Sequence, residues 1–239
     1  MKKNGPRSAR GTHAMTLFVT GTDTGVGKTH VSAGLLAAAR ELGIAACGYK
    51  PVASGCRRGP RGLRNADALA LIRASGTEEP YDRINPYAFA PAIAPHLAAR
   101  EAGQRIERRV LDARYRELAR THDLVIVEGA GGWQIPFGRD WTQADWVARH
   151  GWPVLLVVGM RLGCMNHALL SAESIRPRTR LLGWVANELP PRQPRLDDNI
   201  AELQMRMPAP LLGRVGSRAG SLCAQLCAVL ERMQVREGR

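Results

Sequence analysis

The residues best suited to chemistry lie in the segment GTDTGVGKT, residues 21–29. Backbone N–H groups of a glycine-rich turn, together with the positive end of a following helix, can wrap the phosphates of a nucleotide. Lys28 would then reach the β- and γ-phosphates, and Thr29 would hold Mg²⁺. The match to GxxxxGK[ST] is irregular because Thr22 occupies the place of the first glycine. The segment therefore predicts a variant phosphate-binding loop.

Lys50 is a second cation that the sequence places near this loop. It follows the predicted strand 44–49, and Pro51 then forces the chain out of the strand. Ligands of open α/β sheets bind at the carboxyl ends of the strands, so Lys50 would lie beside the loop. There it could stabilise charge that develops on a phosphoryl group. A solvated surface lysine is the alternative.

Two carboxylates are candidates for a metal site. Asp67 lies in the first turn of a predicted helix that Asn65 caps, and Glu128 ends an apolar predicted strand. Mg²⁺ sites commonly combine carboxylates with phosphate oxygens and water. An acid at the tip of a buried strand is costly unless it binds something, whereas Asp67 could simply compensate a helix dipole. Three glycines after Glu128 allow close approach of a ligand to the backbone: Gly129, Gly131 and Gly132.

Two later segments are weaker candidates for binding. Residues 159–168, GMRLGCMNHA, follow a buried run, and a helix is predicted to open near Asn166. Amides at the start of that helix suit a carboxylate, although an ordinary strand-to-helix turn fits the spacing equally well. Asn187 follows the predicted strand 181–186 and is a candidate hydrogen-bonding group for a nucleotide base.

The elements that must position these residues alternate along the chain of 239 residues. Predicted strands cover residues 17–19, 44–49, 124–127, 154–158 and 181–186, and residues 31–42 form a predicted Ala/Leu-rich helix. This alternation predicts an α/β fold in three layers, with a mainly parallel sheet flanked by helices, like that of P-loop NTPases. With 45% apolar residues and no linker-like segment, residues 15–239 are expected to form a single domain.

The N-terminal residues 1–14 carry four basic residues and no acid, which predicts a disordered basic extension. A signal peptide would need a longer apolar stretch after this basic start. No run is long enough to span a membrane. Five cysteines without a CxxC pair argue against a disulfide framework or a zinc site. The expected location is the cytoplasm.

The formal net charge of +13 has three explanations. Nucleic acid is one, anionic small substrates are another, and general solvation of an Arg-rich composition is the one that we favour. The arginines are scattered and are not interleaved with aromatic residues that could stack on bases. We therefore expect no specific binding of nucleic acid.

The order of ten motifs along residues 16 to about 213 resembles the dethiobiotin synthetases, the ATP-dependent enzymes of biotin synthesis. The motifs are GTDTGVGKT, GYKPVASG, LRNADALAL, NPYAFAPAIAPH, VEGAGGW, ADWV, WPVLLVVG, LGCMNHA, GWVAN and PAPLLG. The resemblance implies closure of the ureido ring of dethiobiotin from 7,8-diaminononanoate and CO₂. A carbamate and a carbamic–phosphoric anhydride would be intermediates, and ADP and phosphate would be products.

The same resemblance implies roles for individual residues. Lys28, Lys50 and Thr24 would be catalytic, Ser54 would contact the substrate, and Mg²⁺ would be held by Thr29, Asp67 and Glu128. The implied ATP contacts are Gly25, Val26, Gly27, Lys28, Thr29, His30, Asp67, Glu128, Gly129, Ala130, Gly131, Asn187, Glu188, Val215, Gly216 and Ser217. Some members carry an acid where this chain has Gly25, and the chain lacks a Pro-Trp pair after PAPLLG that some members have. A role of that acid therefore does not transfer, and the base-binding contacts near 215–217 are less well defined.

The resemblance also implies a homodimer whose active sites lie at the subunit interface. Gly163, Cys164, Met165 and Asn166 of one subunit would receive the carboxylate tail of the diamine bound to the other. A partition or metal-cluster-carrier ATPase of the same superfamily is an alternative. Those proteins place a signature lysine early in the loop, where this chain has Asp23 and Thr24. A basic nucleic-acid-binding module, suggested by charge alone, is a third.

Overall fold

The computed structural model describes residues 14–216. The predicted N-terminal extension, apart from Ala14, and the candidate Ser217 lie outside the described residues. Ten strands are present in the described part: β1 (Met15–Gly21), β2 (Ala46–Tyr49), β3 (Val52–Ala53), β4 (Arg57–Gly59), β5 (Gly62–Arg64), β6 (Tyr87–Ala88), β7 (Leu124–Gly132), β8 (Val154–Met160), β9 (Leu181–Glu188) and β10 (Leu211–Val215).

Eight helices accompany these strands between residues 14 and 216. They are α1 (Lys28–Glu41), α2 (Ala66–Ser75), α3 (Tyr81–Ile84), α4 (Pro95–Glu101), α5 (Arg108–Thr121), α6 (Gln143–His150), α7 (Cys164–Ile175) and α8 (Leu196–Arg206).

Six strands form a parallel central sheet in the order β10-β9-β8-β1-β7-β2. Phe18 of β1 packs in one hydrophobic cluster, whereas its neighbours Leu17 and Val19 pack in another. Side chains alternate between the two faces of a strand, so the two clusters cover opposite faces of the sheet. The predicted three-layer α/β fold with a mainly parallel sheet is confirmed.

Local sequence explains where several elements begin. Asn65 caps α2 as predicted, because its side chain accepts hydrogen bonds from the N–H groups of Asp67 and Ala68. Thr142 and Asp145 form a reciprocal capping box at the start of α6. The expectation of a helix opening near Asn166 was two residues late. Gly163, at φ 89°, allows the chain to turn directly into α7 at Cys164.

The Arg- and Gly-rich segment after Ser54 forms a pair of short strands. Arg57, Arg58 and Gly59 pair antiparallel with Arg64, Leu63 and Gly62 in a short exposed hairpin. The strand predicted at 124–127 also extends further, because Gly132 of β7 still pairs with Gly21 at the end of β1. No helix within residues 14–216 is long and apolar enough to cross a membrane.

Candidate active site

The predicted phosphate-binding loop joins β1 to α1 and turns at two glycines with positive φ. Gly25 has φ 74° and Gly27 has φ 95°, conformations that residues with a Cβ rarely adopt. A Cβ at Gly27 would overlap Nδ2 of Asn187. That Nδ2 donates a hydrogen bond of 2.8 Å to the carbonyl of Val26. The shape of the loop is therefore set by its glycines and by the end of β9.

Lys28 lies almost buried at the first position of α1. Its Nζ donates a hydrogen bond of 2.9 Å to the carbonyl of Asp23 in the same loop. Burial, together with the neighbouring charge of Lys50, lowers the pKa of Lys28 to about 8 against the opposing effect of Glu128. An anion bound in the loop would stabilise the charged form of Lys28. A lysine must be in this charged form to bind a phosphate.

Lys50 forms an ionic cluster with two carboxylates, the buried Glu128 and the partly exposed Asp67. Its Nζ lies 2.6 Å from Oε1 of Glu128 and 3.1 Å from Oδ2 of Asp67. Burial lowers the pKa of Lys50, but the two carboxylates outweigh burial and raise it. Burial likewise raises the pKa of Asp67, and the Lys50 ammonium brings it below its usual value. Lys50 and Asp67 therefore each favour the charged form of the other.

The elements bring this cluster together because β1, β2 and β7 are neighbours in a parallel sheet. Lys50 follows β2, and its backbone N–H and carbonyl are bonded to Ile84 and to the Asn85 side chain, respectively. Glu128 lies within β7, next to the loop that follows β1. The carboxyl ends of three strands thus meet at one edge of the sheet, and Lys50 lies there as its position in the sequence led us to expect.

Thr29, Asp67 and Glu128 converge as a metal site would require. The Thr29 hydroxyl donates a hydrogen bond of 2.9 Å to Oε1 of Glu128, and a hydrogen bond from Thr29 also helps to lower the pKa of Asp67. Oε2 of Glu128 is buried and has no hydrogen-bond partner among the described residues. An unpartnered buried carboxylate oxygen is costly and is available as a ligand.

These donors fit Mg²⁺ held jointly with phosphate. No group of three or more His, Cys, Asp or Glu side chains within residues 14–216 could hold a metal by itself. Mg²⁺ does not need such a group, because it is usually bound by one or two carboxylates together with substrate phosphates and water. The hydroxyl and the two carboxylates described above match that pattern.

Sequence reasoning missed Gln143, which holds the glycine-rich end of β7. This fully buried side chain accepts a hydrogen bond of 2.8 Å from the N–H of Ala130 and donates one of 3.0 Å to the carbonyl of Gly132. A Cβ at Gly129 would meet the same amide at 2.8 Å, so a glycine is required there. The only feature of the sequence that could have identified Gln143 is a polar residue in the first turn of a capped helix. Such a position by itself does not indicate that the side chain is buried.

Two predicted contacts in the loop region have different surroundings. Thr24 is exposed, its N–H is bonded to Oδ1 of Asp23, and its Oγ1 lies 3.6 Å from the Cβ position of Gly131. Thr24 and the end of β7 are therefore neighbours. His30 is an exposed residue of α1, one position beyond Thr29.

The predicted substrate residue Ser54 has a buried hydroxyl without a hydrogen-bond partner among the described residues. It follows β3, and the next residue, Gly55, bonds through its N–H to the carbonyl of Pro91. Ser54 belongs to the same stretch of chain as Lys50. A buried hydroxyl without a hydrogen-bond partner is suited to a polar ligand.

The segment 163–166 offers fewer free amides than the sequence suggested. The N–H of Cys164 donates to the carbonyl of Arg161 at 3.0 Å, and the Cys164 side chain is buried. Met165 is half-buried and Asn166 is exposed. The first turn of α7 therefore presents Met165 and Asn166 as its accessible positions.

The candidates for base binding lie together at the ends of β9 and β10. Val215 is paired with Asn187, and a Cβ at Gly216 would lie 3.2 Å from Oε2 of Glu188. Glu188 also forms an ion pair of 3.1 Å with Arg214. Because Asn187 already donates to Val26, its remaining amide hydrogen and Oδ1 are the groups left for a base.

The fold and the loop together define a P-loop nucleotide-binding protein of the α/β class. A family model described as an AAA domain matches residues 15–221. The ATP-dependent dethiobiotin synthetase BioD of Pseudomonas paraeruginosa is 51% identical over 216 residues, which is 90% of this chain and 95% of the relative. BioD 1 of Escherichia coli K12 is 49% identical over 199 residues, 83% of this chain and 88% of the relative. The chain therefore belongs to the ATP-dependent dethiobiotin synthetase family, a family of ligases, and the predicted resemblance is confirmed.

Solved structures agree with the fold. The septum site-determining protein MinD of Pyrococcus horikoshii, solved with Mg-ADP, has a TM-score of 0.56 at 15% identity and covers 94% of this chain and 98% of its own. A ParA family ATPase of Chlorobium tepidum has a TM-score of 0.53 at 13% identity, covering 94% of each chain. At such low identity these likenesses show the fold alone, and they do not support the partition-ATPase alternative.

Proposed function

We propose that the chain catalyses the ATP- and Mg²⁺-dependent closure of the ureido ring of dethiobiotin from 7,8-diaminononanoate and CO₂. The observation that carries the proposal is the placement of the Lys50 ammonium between Glu128 and Asp67, beside the phosphate-binding loop. Family membership supports an ATP-dependent step in biotin synthesis. The positions of Lys28 and Lys50 support the way in which this chain would perform it.

The proposed chemistry has three bond-forming steps. One amine of the diamine attacks CO₂ and gives a carbamate. A carbamate oxygen then attacks the γ-phosphorus of ATP, and ADP leaves. The second amine attacks the carbonyl carbon of the mixed anhydride, the C–O bond to phosphate breaks, phosphate leaves, and the ring is closed. Each of the two amines gives up one proton to solvent or phosphate as its new C–N bond forms.

The chain's own residues would bind and neutralise the groups that react. The ammonium groups of Lys28 and Lys50 would contact the γ-phosphoryl group that is transferred and the carbamate. Negative charge develops on both of these groups during the reaction. Mg²⁺ would be held by Thr29, Asp67 and Glu128, and when bound it would neutralise charge on the phosphate oxygens. Ser54 would hold the diamine near its reacting amines, and Asn187 with residues 215–217 would face the adenine.

We also propose that the active form is a homodimer in the cytoplasm, with Met165 and Asn166 of one subunit near the diamine tail of the other. Leu162, next to this segment, is 95% exposed. In the proposed dimer the partner subunit would cover this apolar side chain. Specific nucleic-acid binding is not part of the proposal.

The test is phosphate release from ATP and Mg²⁺ with bicarbonate, with and without 7,8-diaminononanoate, and with the organic product identified by mass. Diamine-dependent release with formation of dethiobiotin is the expected result. Lys50→Met serves as the matched control for contaminating ATPase activity. Hydrolysis that is independent of the diamine, or no turnover at all, would contradict the proposal.

A further inference from the structure

Asp23 makes three separate contacts inside the predicted nucleotide site. Its Oδ1 accepts a hydrogen bond of 2.7 Å from the N–H of Thr24, and its backbone carbonyl accepts one of 2.9 Å from Nζ of Lys28. Its Oδ2 forms an ion pair with Nη2 of Arg161. One residue thus contacts the turn of the loop, the loop lysine and a different segment of the chain.

Arg161 belongs to the connection between β8 and α7, which also carries the proposed substrate-tail residues. It directly follows Met160 at the end of β8, and its carbonyl accepts the N–H of Cys164 at the start of α7. With Gly25, Arg161 lines a cavity of about 620 Å³ whose other wall is the proline-rich segment 189–194. Arg161 therefore lies between the nucleotide loop and the first turn of α7.

We propose that Asp23 and Arg161 are positioning residues whose ion pair couples nucleotide binding in the loop to diamine binding at the start of α7. The inference rests on the function proposed above. In this proposal, nucleotide binding shifts the loop at Thr24 and Lys28. The Asp23 carboxylate moves with the loop, and its ion pair with Arg161 shifts the Arg161 side chain in turn. Because residues 163–166 would receive the tail of the diamine bound to the other subunit, the ion pair would link the two active sites of a dimer.

The exposure of the pair separates this role from a role in stability. The side chains of Arg161 and Asp23 are 46% and 48% exposed, and ion pairs at such exposure contribute little to folding. Breaking the pair should therefore leave the melting temperature almost unchanged. Solvent-exposed charges are screened by salt, so the coupling should weaken as ionic strength rises.

The test is a double-mutant cycle of Asp23→Asn and Arg161→Gln. Asparagine keeps an oxygen for the N–H of Thr24 and removes only the charge that binds Arg161. Calorimetry with Mg-ADP should show that each single variant binds the nucleotide ~3- to 10-fold more weakly, and that the double variant is no worse than either single one. Arg161→Lys, which keeps the charge, should retain most of the affinity.

The diamine provides the second readout. Both single variants should raise KM for the diamine by similar factors with little change in kcat, although Asp23 does not belong to the α7 segment. The matched control is Arg206→Gln, which breaks an exposed ion pair of 3.0 Å with Glu202 at the far end of α8 and should change neither constant.

Additive losses of nucleotide affinity in the double variant, or unchanged affinity in both single variants, would overturn the coupling. An unchanged KM for the diamine in Asp23→Asn would overturn it as well. Failure of the wild type to form dethiobiotin would instead count against the proposed function, because the nucleotide cycle needs no diamine.

Discussion

Nζ of Lys50 lies 2.6 Å from Oε1 of Glu128, and the two residues are only 4% and 0% exposed. Removing two charges from water is costly, and their mutual attraction repays that cost only with good geometry and additional hydrogen bonds. Thr29, Asp67 and the carbonyl of Gly129 supply some of those bonds, yet Oε2 of Glu128 stays unpartnered among the described residues. The arrangement is better explained by ligand binding than by stability.

The first prediction concerns this pair. Lys50→Met should reduce turnover at least ~100-fold because it removes a preorganised charge from the reacting groups. It should also destabilise the fold, by about 3–5 kcal/mol, because Glu128 is left as a buried charge without its partner. Steady-state kinetics and denaturant unfolding measure the two effects separately.

The double variant Lys50→Met/Glu128→Gln separates chemistry from folding. It should recover much of the lost free energy of unfolding, because no unpaired charge remains, and it should stay inactive. Near-normal turnover in either variant would remove Lys50 from the mechanism.

The second prediction compares two glycines with similar backbone conformations. Gly27 and Gly43 have φ 95° and 72°, so an added Cβ should cost each about 1–2 kcal/mol of stability. Only at Gly27 would the Cβ also overlap the Asn187 side chain, whereas nothing lies within 4 Å of Gly43. Gly27→Ala should therefore abolish nucleotide binding measured by calorimetry, and Gly43→Ala should preserve it.

Adding Asn187→Ala to Gly27→Ala should relieve the overlap and restore part of the affinity. Equal affinities for Gly27→Ala and Gly43→Ala would show that the contact with Asn187 does not shape the loop.

The third prediction is a pH dependence of stability at the start of α6. Burial raises the pKa of Asp145, but hydrogen bonds from Thr142 and Arg178 outweigh burial and bring the pKa below its usual value. The stabilisation is therefore fully present above the unfolded pKa of about 3.9 and is lost as pH falls through the lower folded pKa.

Asp145→Asn should accordingly lower stability by about 1 kcal/mol at pH 7, after discounting for solvent screening. The difference from the wild type should shrink below about pH 4. Thermal melts from pH 3 to pH 7 measure it, and a difference that grows on acidification would reverse the assignment.

The fourth prediction tests the shared active site. Met165→Pro removes one backbone N–H from the first turn of α7, where proline is tolerated, while Met165→Ala keeps that N–H. If the tail is bound across the interface, Lys50→Met and Met165→Pro subunits should each be inactive alone. Mixed dimers should then recover about a quarter of wild-type activity, because half of the dimers contain one intact site.

Met165→Ala is the control: because it keeps the N–H, it should stay active by itself, which would attribute the inactivity of Met165→Pro to the lost amide. No recovery in refolded mixtures that sedimentation shows to be dimeric would place both groups in the same subunit's site.

The sequence by itself determined the local chemistry of the site. A glycine-rich turn between a strand and a helix predicts a phosphate loop because backbone conformation and helix polarity are local properties. Lys50 was expected beside the loop because ligands of open α/β sheets bind at the carboxyl ends of the strands, and Glu128 was a metal candidate because it ends an apolar run. The fold class followed from alternating apolar runs and helical stretches, and the order of the motifs gave the family.

Only the tertiary structure decided which distant side chains meet. Asp23 and Arg161 are 138 positions apart, and Asn187 lies 161 positions from the carbonyl that it binds. These contacts exist because β8 lies between β1 and β9 in the sheet, an order that apolar periodicity does not specify. The same is true of Gln143, whose burial depends on how α6 packs against the end of β7. Periodicity identifies elements, whereas the free energy of packing them decides their neighbours.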